Sequence, residues 1–149
     1  MCLTLKKSRT DIAKRNIVCW KVVNPIEDVV PLQWLPKQIS YTGAYEFNKV
    51  CRARKNEGSG VITLDKWTLR EIDCLEIKHQ EGFLIIEEGF HAYRTYKKAK
   101  SSGLDFYPCI IPRGSEYGLG VYDDIVSTRI IVFSSFIKFL KYLLLPWMR

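Results

Sequence analysis

The fold of this chain is decided by a stretch that begins Gly89-Phe-His-Ala-Tyr-Arg-Thr95 and ends Asp123-Asp-Ile-Val-Ser-Thr-Arg-Ile-Ile-Val-Phe133. Thr95 is placed to cap a two-turn basic helix over 96–102, because its hydroxyl can accept a hydrogen bond from an amide of the first turn. Gly103 suits the end of that helix. Turn, cap and strand signals agree here, and they predict a short helix among antiparallel strands.

Short apolar runs bounded by turn residues predict the strands. Pro112-Arg-Gly-Ser115 is a strong turn signal, and it predicts a hairpin that joins the strand before it to the strand after it. Pro108 predicts that the first of these strands lies at a sheet edge, because proline has no amide hydrogen for a central ladder. The expected strands are 16–23, 41–50, 61–64, 83–86, 106–111, 117–121 and 128–133. The expected loops are 25–36 and 52–60, and a helix is expected over 65–78.

These elements predict an α+β fold, with a mainly antiparallel sheet and few short helices. The tail differs, since its apolar residues recur at helical spacing with Lys138 and Lys141 on the other side, so we expect an amphipathic helix that Pro146 ends. The apolar positions are Phe136, Phe139, Leu140, Leu143 and Leu144. We therefore divide the chain into a basic N-terminal arm (1–15), one α+β domain (16–133) and an amphipathic C-terminal helix (134–149).

The positive charge of this chain sits at its two ends. The formal net charge of the 149 residues is +7. Residues 1–21 carry six basic side chains and one acidic one, and 130–149 carry three basic side chains and no acid, so the middle has a net charge of −1. Basic ends suit contact with the phosphates of a nucleic acid. The alternative is that they are simply solvated.

Motifs for metal, cofactor or nucleotide binding are missing from the sequence. Five irregularly spaced cysteines form no Cys-x-x-Cys pair, which argues against a zinc site and a disulfide scaffold and indicates buried thiols in a reducing compartment. His79 and His91 have no second ligand at metal spacing, and no phosphate-binding glycine motif occurs. We expect no metal, no cofactor and no enzymatic activity. A nucleophile pair of Cys109 and His91 is the alternative.

Targeting and membrane signals are also missing. No secretory signal follows Met1, and no apolar run reaches the roughly 20 residues that a membrane span needs. We expect a cytoplasmic protein without a membrane span. Its C-terminal helix is expected to dock on the core or on a second copy of the chain, with a membrane surface as the alternative.

Polar and aromatic side chains near loops are the candidates for partner contact. The candidate binding residues are His91, Tyr93, Arg94, Lys97, Lys98 and Arg113. Basic and aromatic residues around 52–55 and 93–100 also suit an RNA or DNA surface. The structural alternative is that Tyr93 belongs to the core and that the charged residues are solvated.

Four segments resemble small uncharacterised proteins of gut Bacteroidota and their phages. Such proteins show a Cys-Tyr-Lys strand, a Gly-Phe-His element and a Cys-Ile-Ile-Pro-Lys-Gly-Ser turn. The matching segments are Met1-Cys-Leu-Thr4, Ile12-Ala-Lys-Arg-Asn-Ile-Val-Cys-Trp-Lys21, Gly89-Phe-His-Ala-Tyr93 and Cys109-Ile-Ile-Pro-Arg-Gly-Ser115. The resemblance implies a phage or mobile-element origin and supplies no activity. With it we expect a binding protein that inhibits host defence, acting on a host protein or nucleoprotein complex in the host cytoplasm.

Two alternatives stand beside that expectation. The chain also resembles the ADP-ribosyltransferase fold, which implies an NAD-type nucleotide near Lys21, His91 and Glu116. Here Trp20-Lys21 replaces the usual arginine or histidine, so binding without transfer is what this resemblance implies. The other alternative is a structural virion component that forms a homo-oligomer through its C-terminal helix.

Overall fold

The computed structural model describes residues 3–22, 37–40, 43–56 and 69–145. The loop expected at 25–36, the strand expected at 61–64 and Pro146 lie outside these residues. The described strands are β1 (Leu3–Thr4), β2 (Asp11–Ile12), β3 (Ile17–Val22), β4 (Lys37–Ser40), β5 (Gly43–Glu46), β6 (Val50–Arg52), β7 (Arg54–Asn56), β8 (Leu69–Glu71), β9 (Lys78–Gln80), β10 (Phe83–Ile86), β11 (Phe90–Tyr93), β12 (Phe106–Ile111), β13 (Glu116–Leu119), β14 (Asp124–Ser127) and β15 (Arg129–Val132). The described helices are α1 (Tyr96–Ser101) and α2 (Phe136–Leu144).

Antiparallel pairing dominates the described part of the chain. Its largest sheet has eight strands in the order β2-β13-β14-β11-β3-β12-β15-β6, and each neighbouring pair is antiparallel. A second sheet has the order β1-β10-β9, and β4-β5 and β7-β8 form separate pairs. The expected mainly antiparallel sheet with few short helices is confirmed. Many strands beside two helices among the described residues suit an α+β or a mainly β protein.

One residue brings the two ends of the large sheet together. Thr128 connects β14 directly to β15. Its amide donates to the Glu116 carbonyl over 3.1 Å, and its own carbonyl accepts from the Ala53 amide over 2.7 Å. Glu116 begins β13 and Ala53 directly follows β6, and these two strands lie near opposite ends of the strand order. One residue can bond to both only if the sheet curls and brings its two ends together.

The N-terminal segment belongs to the folded domain. Leu3 is fully buried and Leu5 is 8% exposed, and both pack with Ile86 and Val126 in one apolar cluster. Burial of each such leucine stabilises the fold by about 2 kcal/mol. The basic side chains of the same segment, such as Lys6, remain exposed. Residues 3–15, which we expected to form a separate basic arm, therefore combine an anchored backbone with a charged surface.

The hairpin expected around Pro112-Arg-Gly-Ser115 is wrong, although the turn is present. The Ser115 amide donates to the Pro112 carbonyl over 3.1 Å, but β12 pairs with β3 and β15, while β13 pairs with β14 and β2. The turn thus carries the chain across the curled sheet.

The edge position expected for Pro108 is also wrong, because β12 has a neighbour on each side. The Pro108 carbonyl accepts from the Phe133 amide. In an antiparallel strand the nitrogen and the carbonyl of one residue point to the same neighbouring strand, so the Pro108 nitrogen also points toward Phe133. This position is at the end of the β12–β15 ladder, where the missing amide hydrogen of proline is tolerated.

Three expectations fail between residues 41 and 78. The expected strand over 41–50 divides into β5 and the beginning of β6 in its described part, and the expected loop over 52–60 contains β7. The expected helix over 65–78 contains β8, which pairs with β7. Spaced leucines and isoleucines fit a helix equally well, so the pattern alone could not select the strand.

Both helices begin after a capping hydroxyl, expected from the sequence at Thr95 and found also at Ser135. The Lys98 amide donates to the Thr95 hydroxyl and the Lys138 amide to the Ser135 hydroxyl, each over 3.2 Å. In α2 only Phe139 is buried, whereas Phe136 is 54% exposed and Leu144 71% exposed. Apolar side chains of α2 thus lie on its exposed as well as its buried surface, and the amphipathic character expected of this helix stays a prediction. Within the described residues, no helix has the length and hydropathy to cross a membrane.

Candidate functional site

An aromatic groove lies between α1 and α2. Its volume is about 830 Å³. Trp20 of β3 and Pro108 of β12 form its floor, since these two residues are directly opposite in the ladder. The remaining lining residues are Tyr96, Phe106, Tyr107, Ser134, Ser135, Phe136 and Phe139. Strand pairing thus brings residues from both halves of the chain to one surface.

Edge-to-face ring contacts shape this groove. Trp20 lies 5.3 Å from Tyr96 and 6.2 Å from Phe106 between ring centroids, and Tyr96 lies 5.3 Å from Phe106. The three interplanar angles are between 76° and 80°. Phe139 of α2 joins the cluster 6.1 Å from Trp20. Edge-to-face pairs fix ring positions, so the groove has rigid, corrugated walls rather than parallel faces.

One lysine of α1 lies beside the groove. Lys100 Nζ is 6.0 Å from the centroid of the Tyr96 ring, within the range of a cation–π contact. Lys97 is exposed and Lys98 half-buried on the same helix. The first turns of both helices contain no acidic residue. An apolar groove beside a helix with three lysines suits an apolar ligand that carries negative charge.

The candidate residues expected from the sequence do not form one site. Tyr93 is half-buried and Arg94 exposed at the end of β11 next to α1. Arg113 is exposed in the turn after Ile111, which pairs with Ile17 at the far end of β3 from Trp20. Arg94, Lys97 and Lys98 are thus separated from Arg113 along the sheet.

His91 is an interior residue. Only 4% of its surface is exposed, and its Nε2 lies 2.8 Å from the Glu87 carbonyl oxygen. Its buried Nδ1 has no hydrogen-bond partner among the described residues. Burial, assisted by the charge of Lys21, lowers the pKa of His91 to about 4, while the bond to Glu87 opposes this shift. His91 is therefore neutral at pH 7 and is not a surface contact.

A nucleophile pair of Cys109 and His91 is not formed. Cys109 Sγ lies 3.0 Å from Cys19 Sγ on the neighbouring strand, and both residues are fully buried. Burial and the contact with Cys19 raise the pKa of the Cys109 thiol well above its usual range. A reactive cysteine needs the opposite shift. Cys51 is half-buried and Cys74 exposed, and none of the four described cysteines forms a disulfide.

Of the residues expected around a nicotinamide nucleotide, Glu116 lies apart from Lys21 and His91. Lys21 is on β3 and His91 on β11, whereas Glu116 is on β13. Two strands, β14 and β11, separate β13 from β3 in the sheet. Glu116 accepts hydrogen bonds from the Thr10 hydroxyl and the Leu75 amide, so both its oxygens have structural partners. This carboxylate holds two loops together.

Among the described residues, no group of three histidine, cysteine or acidic side chains could hold a metal ion. Comparison with protein-family models, with curated proteins and with solved structures gives no match to this chain. The resemblances to phage proteins and to the ADP-ribosyltransferase fold stay predictions.

The sequence does not reveal the groove. It predicts Trp20 within the strand 16–23 and Phe136 in a C-terminal helix outside the α+β domain, and it does not bring the two together. The signal in the sequence was the set of aromatic residues in or near the two helices, at Tyr96, Phe106 and Phe136, together with Trp20 in the first long strand.

Proposed function

We propose that this protein acts by binding an extended segment of a partner protein in the groove between α1 and α2. The observation that carries the proposal is an apolar groove of about 830 Å³ whose lining has no charged side chain, beside a helix that carries three lysines. Aromatic grooves of this kind accept proline-containing segments in an extended conformation. The lysines complement acidic residues that flank such a segment.

A peptide fits the groove better than a single-stranded nucleic acid. Bases stack on ring faces that are open and parallel to them. Trp20, Tyr96 and Phe106 instead meet edge to face. The corrugated surface favours proline rings and aliphatic or aromatic side chains, inserted between the ridges. The occupant we propose is therefore an acidic, proline-containing segment of a protein.

Phe136→Ala tests the groove, with Leu144→Ala as the matched control. Both residues are exposed on α2, but only Phe136 lines the groove. We expect acidic, proline-containing peptides selected from a displayed random library to bind the wild type, and at least tenfold more weakly to Phe136→Ala, because a ring wall is lost. Leu144→Ala should remain within twofold. Fluorescence anisotropy of labelled peptides measures both.

Three outcomes would count against the peptide proposal. They are equal affinity of Phe136→Ala, selection of peptides without acidic residues, and tighter binding of a labelled single-stranded oligonucleotide that Phe136→Ala abolishes.

The alternative of a structural virion component predicts a multimer formed through the exposed side of α2. Leu144→Ala should weaken that multimer, and light scattering on both variants measures it.

The biological setting of this binding is the second part of the proposal. We propose a phage or mobile-element protein in the host cytoplasm, which binds a host protein or nucleoprotein complex and inhibits host defence. The resemblance to phage proteins of Bacteroidota supports this setting. The charged surface of residues 6–15 and the C-terminal helix are further contact surfaces for such an assembly.

Expression in a defended host tests the setting. We expect the wild-type protein to raise the plating efficiency of a defence-sensitive phage at least tenfold, because a bound defence component is inactive. Phe136→Ala at equal protein level should lose this effect, and Leu144→Ala should keep it. Unchanged plating across a panel of defended strains would remove the defence role while leaving peptide binding to be judged by anisotropy.

A further inference from the structure

A second cavity, distinct from the groove, contains two arginines from neighbouring strands. Arg52 of β6 and Arg129 of β15 are directly opposite in the ladder. Both line a cavity of about 410 Å³, at the other end of β15 from the groove. Residues directly opposite in antiparallel strands have Cβ atoms about 5 Å apart on the same face, and like charges in such positions destabilise a sheet. The pair therefore costs stability unless an anion joins it.

The two carboxylates that line the cavity, Asp73 and Glu116, form no ion pair with these arginines. Glu116 accepts its 2.6 Å hydrogen bond from the Leu75 amide and a second from the Thr10 hydroxyl. Among the described side chains, no carboxylate forms an ion pair with Arg52 or Arg129. The two guanidinium groups keep donors for an external acceptor.

The guanidinium of Arg129 is fixed in position. Its Nε donates to the Ser115 hydroxyl and its Nη2 to the Arg113 carbonyl, each over 3.1 Å. Ser115 is 1% exposed, so the anchor is rigid. A guanidinium has five N–H donors, and these two bonds leave three. Arg52 is exposed and provides a further set from the opposite strand.

We propose that Arg52 and Arg129 bind the phosphate group of a small phosphorylated molecule. Two guanidinium groups offer paired N–H donors to phosphate oxygens, which is the geometry in which arginine binds phosphate most strongly. A cavity of about 410 Å³ has the size of a small-molecule site and holds more than the phosphate alone. The lining Thr128 provides a hydroxyl for the remainder of the molecule, and the Asp73 carboxylate accepts from a hydroxyl or amino group of that remainder. This site is independent of the peptide groove.

Calorimetric titration of the full chain with inorganic phosphate at low ionic strength tests the site. Arg52→Gln should weaken phosphate binding at least tenfold, because one of the two guanidinium groups is lost. Lys141→Gln is the control: it removes the same charge from an exposed position on α2 and should change affinity less than twofold. A phosphate monoester should bind at least as tightly as inorganic phosphate, since the cavity has room for its remainder.

Arg129→Lys provides a second variant that keeps the charge while losing the fork of donors, and we expect at least fivefold weaker binding. Thermal unfolding of each variant without phosphate verifies folding. The proposal fails if phosphate stabilises the wild type no more than chloride of equal ionic strength. It also fails if Arg52→Gln binds like the wild type, or if Lys141→Gln loses as much affinity as Arg52→Gln.

Discussion

Gly89→Ala should destabilise the protein by about 3–5 kcal/mol, the sum of a backbone cost and an overpacking cost. Gly89 lies between β10 and β11 with φ of +137°, a conformation that residues with a β-carbon rarely adopt. An added β-carbon would lie 2.6 Å from Val126 Cγ2 and 3.1 Å from the Ser127 carbonyl oxygen. Val126 is fully buried, so its side chain cannot move away from the added carbon without displacing neighbouring core atoms.

Gly103→Ala is the matched control for this substitution. Gly103 also has a positive φ, +72°, but an added β-carbon there has no atom within 4 Å. We expect a loss of only about 1 kcal/mol, from backbone strain alone. Urea unfolding of both variants measures the difference. A Gly89→Ala protein within 1 kcal/mol of Gly103→Ala would show that β11 can move away from β14.

Acidification from pH 7 to pH 4 should remove roughly 3 kcal/mol of stability through His91 alone, by the difference between its folded and unfolded pKa. Its pKa falls from 6.5 in the unfolded chain to about 4 in the fold. Below pH 6.5 this histidine is protonated in the unfolded chain, whereas in the folded protein it stays neutral until the pH approaches 4. The contribution of His91 is fully present above pH 6.5 and is lost as the pH falls toward 4.

His91→Gln and His79→Gln separate this effect from the titration of carboxylates, since the chain has two histidines. Glutamine can still donate to the Glu87 carbonyl, but it does not titrate. We expect the unfolding free energy of His91→Gln to lose its histidine-dependent fall between pH 6.5 and 4. His79 is exposed on β9, and His79→Gln should follow the wild type. Equal pH profiles for all three proteins would contradict the burial of a neutral His91.

Local signals predicted the elements whose residues interact within a few positions. Thr95 was predictable as a cap because its hydroxyl meets an amide three residues later, and Ser135 caps α2 in the same way without having been predicted. The strand at Ile17–Val22 follows from its β-branched residues, and the turn at Pro112 follows from its own sequence. The burial of His91 was not predictable, since its environment comes from packing against other strands.

The sequence by itself determined a mainly antiparallel sheet and the two short helices that follow Thr95 and begin at Phe136, although it also predicted a helix over 65–78 where β8 lies. Only the tertiary structure decided which strands meet. Backbone hydrogen bonds between strands are nearly independent of side-chain identity, so pairing is selected by the burial of the whole chain rather than by any one segment. That selection put β12 between β3 and β15, brought Trp20 against Tyr96, and set Arg52 opposite Arg129. Both proposed sites therefore depend on contacts between residues that are distant in the sequence.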